Sequence, residues 1–160
     1  MWQGEVFYII SCENLQHQLI SARITKMSDE TIEAFIESGG PFAVVGASTD
    51  REKYGNKVLR CYLQNDLVAY PINRKATEVE GQQAYADLSE LPEKVENISI
   101  ITPPPITEKV VEEAATLGAK RLWMQPGAES DYAIQKAEKL GMEVIANGPC
   151  LLVVLSFKDI

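Results

Sequence analysis

The sequence predicts an α/β, doubly wound domain: a mostly parallel five-stranded sheet with helices on both faces. Three observations carry this. From residue 42 onward, short apolar runs alternate with segments of helical period. The runs are continuous, as strands covered on both faces require. The later helical segments stop at Gly118 and Gly141, the usual residue beyond a helix C-terminus.

Taken in order, the first stretch stands apart. Trp2 to Lys26 has no clear period, and Val6-Phe7-Tyr8-Ile9-Ile10 is an isolated apolar pentad with no preceding cations. It is too short for the apolar region of a signal peptide. Met27-Ser28-Asp29-Glu30 reads as a fresh beginning, with Ser28 as a helix N-cap and two acids suited to the positive end of the helix dipole. Residues 1–27 are therefore expected to form a poorly ordered arm or an upstream-start extension. The domain proper is expected over 28–160.

Phe42-Ala43-Val44-Val45, ending in Gly46, is the first strand. Gly55 to Asn65 carries Val58, Leu59, Tyr62 and Leu63 at helical spacing, and Leu67 to Ile72 is the second strand. Residues 73–96 read as irregular, with a short helix near Leu88. Ile98 to Thr102 is the third strand, followed by a helix whose buried face is marked by Ile106, Val110, Val111, Ala114 and Ala115. Arg121 to Met124 is the fourth strand. Ala133, Ile134, Ala137 and Leu140 mark the next helix, and Glu143 to Ala146 is the fifth strand. Leu151 to Leu155 is apolar, and its type is not decided by pattern. Strand–helix alternation at this spacing implies right-handed βαβ units and a Rossmann-like sheet.

Composition narrows the function. The 160 residues carry 15 Lys+Arg against 23 Asp+Glu, a net charge of −8. Such a chain is neither a phosphate-tracking nucleic-acid binder nor a protein drawn to anionic membranes. Cys12, Cys61 and Cys150 are too few and too scattered for a disulfide framework or a zinc site, and His17 is the only histidine. The expectation is a reduced, cytoplasmic, soluble protein with no metal.

In a doubly wound sheet, ligands sit beyond the C-terminal strand ends, which directs attention to five loops. Gly46, Ala47 and Ser48 after the first strand are small enough for a phosphate to reach the main chain. Lys53, Tyr54 and Gly55 open the next helix, where free N–H groups face an anion. The loop lacks the middle glycine of GxGxxG and the Gly-Lys-Ser/Thr of a Walker A motif. Arg51, Lys53 and Lys57 suit a polyphosphate, or else are an ordinary solvated helix start. After the second strand, Asn73-Arg74-Lys75 replaces the acid usual in NAD sites, which suits a nucleotide with an extra ribose phosphate, such as NADP or coenzyme A; a plain polar turn is the alternative. Thr102 with Pro103 and two further prolines is a stiff segment that lines a channel or launches a helix. Gln125 and Gly127 offer an amide and close backbone access. Cys150 is read as a buried structural thiol, because no histidine base accompanies it in the domain; Trp123 and Met124 are read as core.

In order along the chain, Ala43 to Ser48, Tyr54 to Val58, Tyr70 to Asn73, Gly81 with Ala84-Tyr85, Leu88 to Pro92, and Trp123 to Ala128 resemble the small stand-alone CoA-binding proteins. That family is of Rossmann type and is related to the CoA-binding domain of succinyl-CoA synthetase. Cys150 falls at its late cysteine position. The resemblance implies a CoA diphosphate at Gly46, Ala47 and Ser48, and adenosine at Asn73 and Arg74 with Thr102 and Pro103 flanking it. Arg74 stands where the family often has proline, and Asn147-Gly148-Pro149 replaces a commonly charged segment.

The leading function is a binding module for coenzyme A or acyl-CoA: a carrier, sensor or regulator and not an enzyme. The alternative is an NADP-dependent oxidoreductase, for which no Tyr-x-x-x-Lys pair or catalytic histidine presents itself. Ligase chemistry through a phosphohistidine is excluded for residues 28–160, which contain no histidine. The expected partner is a small nucleotide, with a protein partner or a homo-oligomer left open. A Gly46→Val replacement is expected to block phosphate approach and spare the fold.

Overall fold

The computed structural model describes residues 29–160. The expectations for residues 1–27, for the Ser28 cap and for Cys12 and His17 lie outside the described residues.

A helix over residues 29–37 (α1) precedes β1 (Phe42–Val45), α2 (Tyr54–Gln64) and β2 (Ala69–Ile72). A hairpin of β3 (Glu78–Val79) and β4 (Gln82–Gln83) and a 3-10 turn at Leu88–Glu90 lead to β5 (Asn97–Ile100). The chain then continues through α3 (Pro104–Thr116), β6 (Arg121–Met124), α4 (Asp131–Lys139), β7 (Glu143–Ile145) and α5 (Leu151–Val154). The five long strands form one sheet in the order β2-β1-β5-β6-β7, every pair parallel.

Alternation along β1 splits the core into two layers, as the pleat requires. Ala43 and Val45 join Ile98, Ile100, Leu122 and Met124 under α3 and α4. Phe42 and Val44 join Trp123 and Ile145 under α1, α2 and α5. Phe42 is stacked between Phe35 at 5.3 Å and Tyr62 at 4.7 Å, and Trp123 meets Phe35 edge-on at 5.4 Å. Each such pair contributes about 0.5–1.5 kcal/mol beyond its buried area. Polar groups in the sheet are answered: Tyr62 Oη and Ser99 Oγ lie 2.7 Å apart, and Trp123 Nε1 donates to the Pro149 carbonyl at 2.9 Å.

The helices begin and end for local reasons. Pro104 and Pro105 occupy the first turn of α3, where a missing N–H costs nothing. Ser130 Oγ accepts from Ala133 N at 3.1 Å to cap α4, with Asp131 in the first turn and Lys136 and Lys139 in the last. Gly118 and Gly141 follow the C-termini at positive φ.

Three readings need correction, and one left open is settled. Residues 73–96 are not wholly irregular, because β3 and β4 pair there across Glu80-Gly81. The last apolar segment is the short helix α5. Ile106 and Leu140 are each about half exposed, not on the buried faces their spacing predicts. Thr107 takes the buried place on α3, bonded to Thr102 Oγ1 at 2.9 Å.

Candidate functional site

From β1 the chain winds outward to β2, then crosses back to enter β5 on the other side of β1. The direction of winding reverses between β1 and β5, and a parallel sheet leaves its crevice there, outside the carboxyl ends. A cleft of about 510 Å³ opens at this point. Val45 and Ile72 form its floor, with Gly46, Ala47 and Thr102 at the strand ends. Asn73, Arg74 and Lys75 line one side, Ala86, Asp87 and Leu88 another, and Ile106, Lys109, Val110 and Glu113 of α3 close it.

The turn above the cleft is built by two glycines and two asparagines. Gly46 has φ +94°, and a Cβ there would lie 3.2 Å from the Ile101 carbonyl carbon. A Cβ on Gly55 would lie 2.0 Å from the Gly46 carbonyl oxygen, so glycine is what lets the start of α2 sit directly on the end of β1. Asn73 Nδ2 donates to the Ala47 carbonyl at 2.7 Å. Asn56 Nδ2 donates to the Ser48 carbonyl at 2.8 Å and to Glu80 Oε1 at 2.9 Å. In a trans peptide the carbonyl and the next N–H point opposite ways. Pinning these two carbonyls therefore turns the Ser48 and Thr49 N–H groups away from Asn73 and from α2. Neither N–H meets an acceptor among the described residues. Lys53 provides no side-chain cap for α2, which leaves its first N–H groups open as well. Open N–H groups in a tight turn and at a helix start are the kind of donors that hold an anion.

The charges are less generous than the sequence suggests. Arg51 lies 3.7 Å from Glu80 and donates to the Ile160 carbonyl at 3.0 Å. Lys57 pairs with Asp159 at 2.8 Å, and Arg74 with Asp87 at 2.8 Å. Lys53, Lys75 and Lys109 make no ion pair among the described residues. Buried Arg60 reaches Asn56 Oδ1 at 2.8 Å, the Arg51 carbonyl at 3.1 Å and Asp159 Oδ1 at 2.9 Å. It thereby ties the turn to the C-terminal segment. Hydrogen bonds from Lys57 and then Arg60 hold the Asp159 carboxyl below the usual carboxylate range.

A second cluster forms at the ends of β6 and β7. Tyr54 turns its hydroxyl away from the turn, hydrogen-bonding Cys150 Sγ and facing Gln125 Oε1 at 3.5 Å. Burial, then the Cys150 contact, pushes the Tyr54 phenol above the ordinary tyrosine range. Gln125 Oε1 also accepts from Leu151 N at 3.1 Å. Cys150 is thus not the buried structural thiol expected of it, since it is partly exposed and bonded to a site residue. Cys61 is the buried thiol, and burial raises it to about 11.

Of the residues expected at the site, Gly46, Ala47, Asn73, Arg74 and Thr102 line the cleft, while Ser48, Arg51, Lys53 and Gly55 build the turn above it. Ser48 Oγ is taken by Asp50 N at 3.1 Å. Gly55 is fully enclosed, so its place is in packing rather than in ligand contact. Tyr54 and Gln125 belong to the second cluster, Pro103 is the exposed cap position of α3, and Gly127 sits on an exposed turn with its N–H on Glu129 Oε2 at 2.8 Å. Asn56, buried inside α2, was not among the expected site residues, although it lies in the Tyr54–Val58 segment that resembles the family. Also outside that expectation were Ile106, Lys109 and Glu113, whose spacing of three and four along α3 was the available sign of a shared face. The Gly46→Val expectation fails in part: a side chain at φ +94° against Ile101 and Thr102 strains the fold.

The sequence model of the CoA-binding domain matches residues 41–156. This chain belongs to that family. The CoA-binding domain is also 27% identical over 114 residues to the alpha subunit of an ADP-forming acetate–CoA ligase II of Pyrococcus furiosus; the match covers 64% of this chain and 25% of that subunit. The chain therefore spans about a quarter of the ligase subunit's length. Among solved structures, it is similar to a conserved hypothetical protein from Pyrococcus furiosus, with TM-score 0.67 and 39% identity over 71% of this chain and 97% of that one. It is also similar to a hypothetical protein from Pyrococcus horikoshii, with TM-score 0.73 and 25% identity over 96% and 95% of the two chains. The family match and the ligase homology support CoA binding in general, and the two solved structures share the fold. Among the described residues, no helix of this CoA-binding domain is long and apolar enough to cross a membrane.

Proposed function

We propose that this chain binds CoA or acyl-CoA across its strand ends as a small carrier, sensor or regulatory module, without catalysing turnover. The observation that carries the reading is the turn at Ala47–Thr49: two asparagine amides hold its carbonyls, and the opposed Ser48 and Thr49 N–H groups meet no acceptor among the described residues. That geometry suits the diphosphate. The adenosine then lies in the cleft, its base against Ile106, with Arg74 and Lys109 near the ribose phosphate. The pantetheine runs the other way, toward Tyr54, Gln125 and Cys150.

The test is a thermal-shift titration with CoA, dephospho-CoA, NADP and NAD, since a ligand that binds only the folded state raises the midpoint by mass action. CoA is expected to give the largest shift and dephospho-CoA a smaller one. A strong response to NADP with none to CoA would replace this reading by that of a nicotinamide-nucleotide enzyme.

A further inference from the structure

Arg60 lies one turn beyond Asn56 on α2 and is 5% exposed, an unusual place for a cation. All three of its guanidinium nitrogens are engaged. Nε donates to Asn56 Oδ1 at 2.8 Å, and Nη2 donates to the Arg51 carbonyl at 3.1 Å and to Asp159 Oδ1 at 2.9 Å. Nη1 donates to the Ile160 carbonyl at 3.4 Å. A guanidinium has no acceptor, so the Asn56 atom that meets it must be the oxygen. The other arm of that amide, Nδ2, is thereby directed at the Ser48 carbonyl and Glu80 Oε1. Arg60 thus braces the loop between β1 and α2 at two points: Arg51 directly, and Ser48 through Asn56.

The brace is itself held from outside. Beyond α5 the chain runs back along α2 as a strap. Asn65 Nδ2 donates to the Leu155 carbonyl at 3.2 Å, and the Gln64 amide exchanges two hydrogen bonds with the Lys158 backbone, at 2.7 and 3.1 Å. The guanidinium lies over the Phe157 ring, 5.1 Å from its centroid. Asp159 then bridges Arg60 and Lys57. An ion pair with a buried member is a weak source of stability, because desolvation offsets the attraction. What a planar fork supplies, and neither an apolar side chain nor a lysine can, is a fixed set of donor directions.

We propose that Arg60 is a positioning residue for the phosphate turn, with Asp159 keeping its fork in register from the far side. The proposal rests on the CoA reading above and names what holds that site in its binding shape. Neither Arg60 nor Asp159 lines the cleft, so both act through Asn56 and the loop. This fixes the sign of an effect. Were Asp159 merely a charge near the turn, its removal would relieve repulsion of a diphosphate, free Lys57 and tighten binding. As the anchor of the fork, its removal lets Arg60 turn, loosens Asn56 and weakens binding.

The experiment is calorimetric titration of CoA into the full chain and its variants, each checked by thermal unfolding. Asp159→Ala is expected to weaken CoA about fivefold, part of the worth of one charged hydrogen bond, since the Ile160 carbonyl still holds the fork. Asp159→Asn keeps an oxygen for Arg60 and should restore affinity to within about twofold of the parent. Arg60→Lys keeps the charge and loses the fork, and should weaken CoA at least about tenfold. Combined with Asn56→Ala, it should cost markedly less than the product of the two single losses, because the two residues act in series. Asp159→Ala changes a half-exposed side chain and keeps the test open should Arg60→Lys fail to fold. Equal or tighter CoA binding by Asp159→Ala, no recovery in Asp159→Asn, near-parent affinity in Arg60→Lys, or losses that simply multiply would each overturn the positioning role and leave CoA binding standing. Failure of the parent chain to bind CoA would instead bring down the reading on which it rests.

Discussion

Gly55→Ala adds one methyl group where α2 meets the end of β1. The new carbon would lie 2.0 Å from the Gly46 carbonyl oxygen, 3.0 Å from its carbon and 3.4 Å from Ala47 Cα. All three are backbone atoms, so no side chain can swing aside. Restoring ordinary contact requires a movement of about 1.4 Å between helix and strand end, an overpacking of the kind that costs about 3 kcal/mol. Alanine recovers up to about 1 kcal/mol through its better helix propensity. The net loss of about 2 kcal/mol corresponds to a fall of about 4–8 °C in Tm for a chain of this size. The same movement displaces the open N–H groups, and a weakened charged hydrogen bond of about 1.5 kcal/mol lowers CoA affinity at least about tenfold. Differential scanning calorimetry and calorimetric titration with CoA measure the two effects. Gly148→Ala, with open space around the new carbon and no positive φ, is the control and should stay within about 0.5 kcal/mol of the parent. A Gly55→Ala protein with unchanged Tm and CoA affinity within about twofold would refute the argument that this contact shapes the phosphate turn.

Tyr62→Phe should lose about 1–2 kcal/mol in denaturant unfolding, because Ser99 Oγ is left buried without the partner it now has at 2.7 Å. Lys109→Glu should weaken CoA more than dephospho-CoA in calorimetric titration, and equal losses would place the ribose phosphate elsewhere. Asp159 is held below the usual carboxylate range by Lys57 and Arg60. Its contribution is therefore full above the unfolded value near about 4 and lost as pH falls through the lower folded value. Asp159→Asn should accordingly flatten the acid limb of stability against pH. Cys61, raised to about 11 by burial, favours the folded state below the ordinary thiol value and loses that contribution as pH rises toward 11. In iodoacetamide labelling of the native protein, Cys150 should react before Cys61, and the reverse order would contradict the burial of the two thiols.

The strands were readable because each is a continuous apolar run: β1 and β6 lie where the pattern put them, and the other three differ only at their ends. The turn at Gly46 and the polar ends of β2 and β5 were readable too, since a doubly wound sheet places ligands at carboxyl ends whatever its side chains are. What escaped was anything set by a contact between distant segments. Arg51, Lys57 and Arg74 look like phosphate ligands in one dimension. In the fold, Glu80, Asp159 and Asp87 meet them, two of these acids lying well away along the chain.

The net charge of −8 and the five apolar runs are properties of composition and local order, so they set the expectation against nucleic acid and specified the layered α/β architecture before any coordinates. Which lysines face the cleft, why Gly55 admits no side chain, and how Tyr54, Gln125 and Cys150 come to share one corner depend on how helices settle against strand ends. Those are distances of a few ångströms between residues up to 96 apart in sequence, and packing alone sets them.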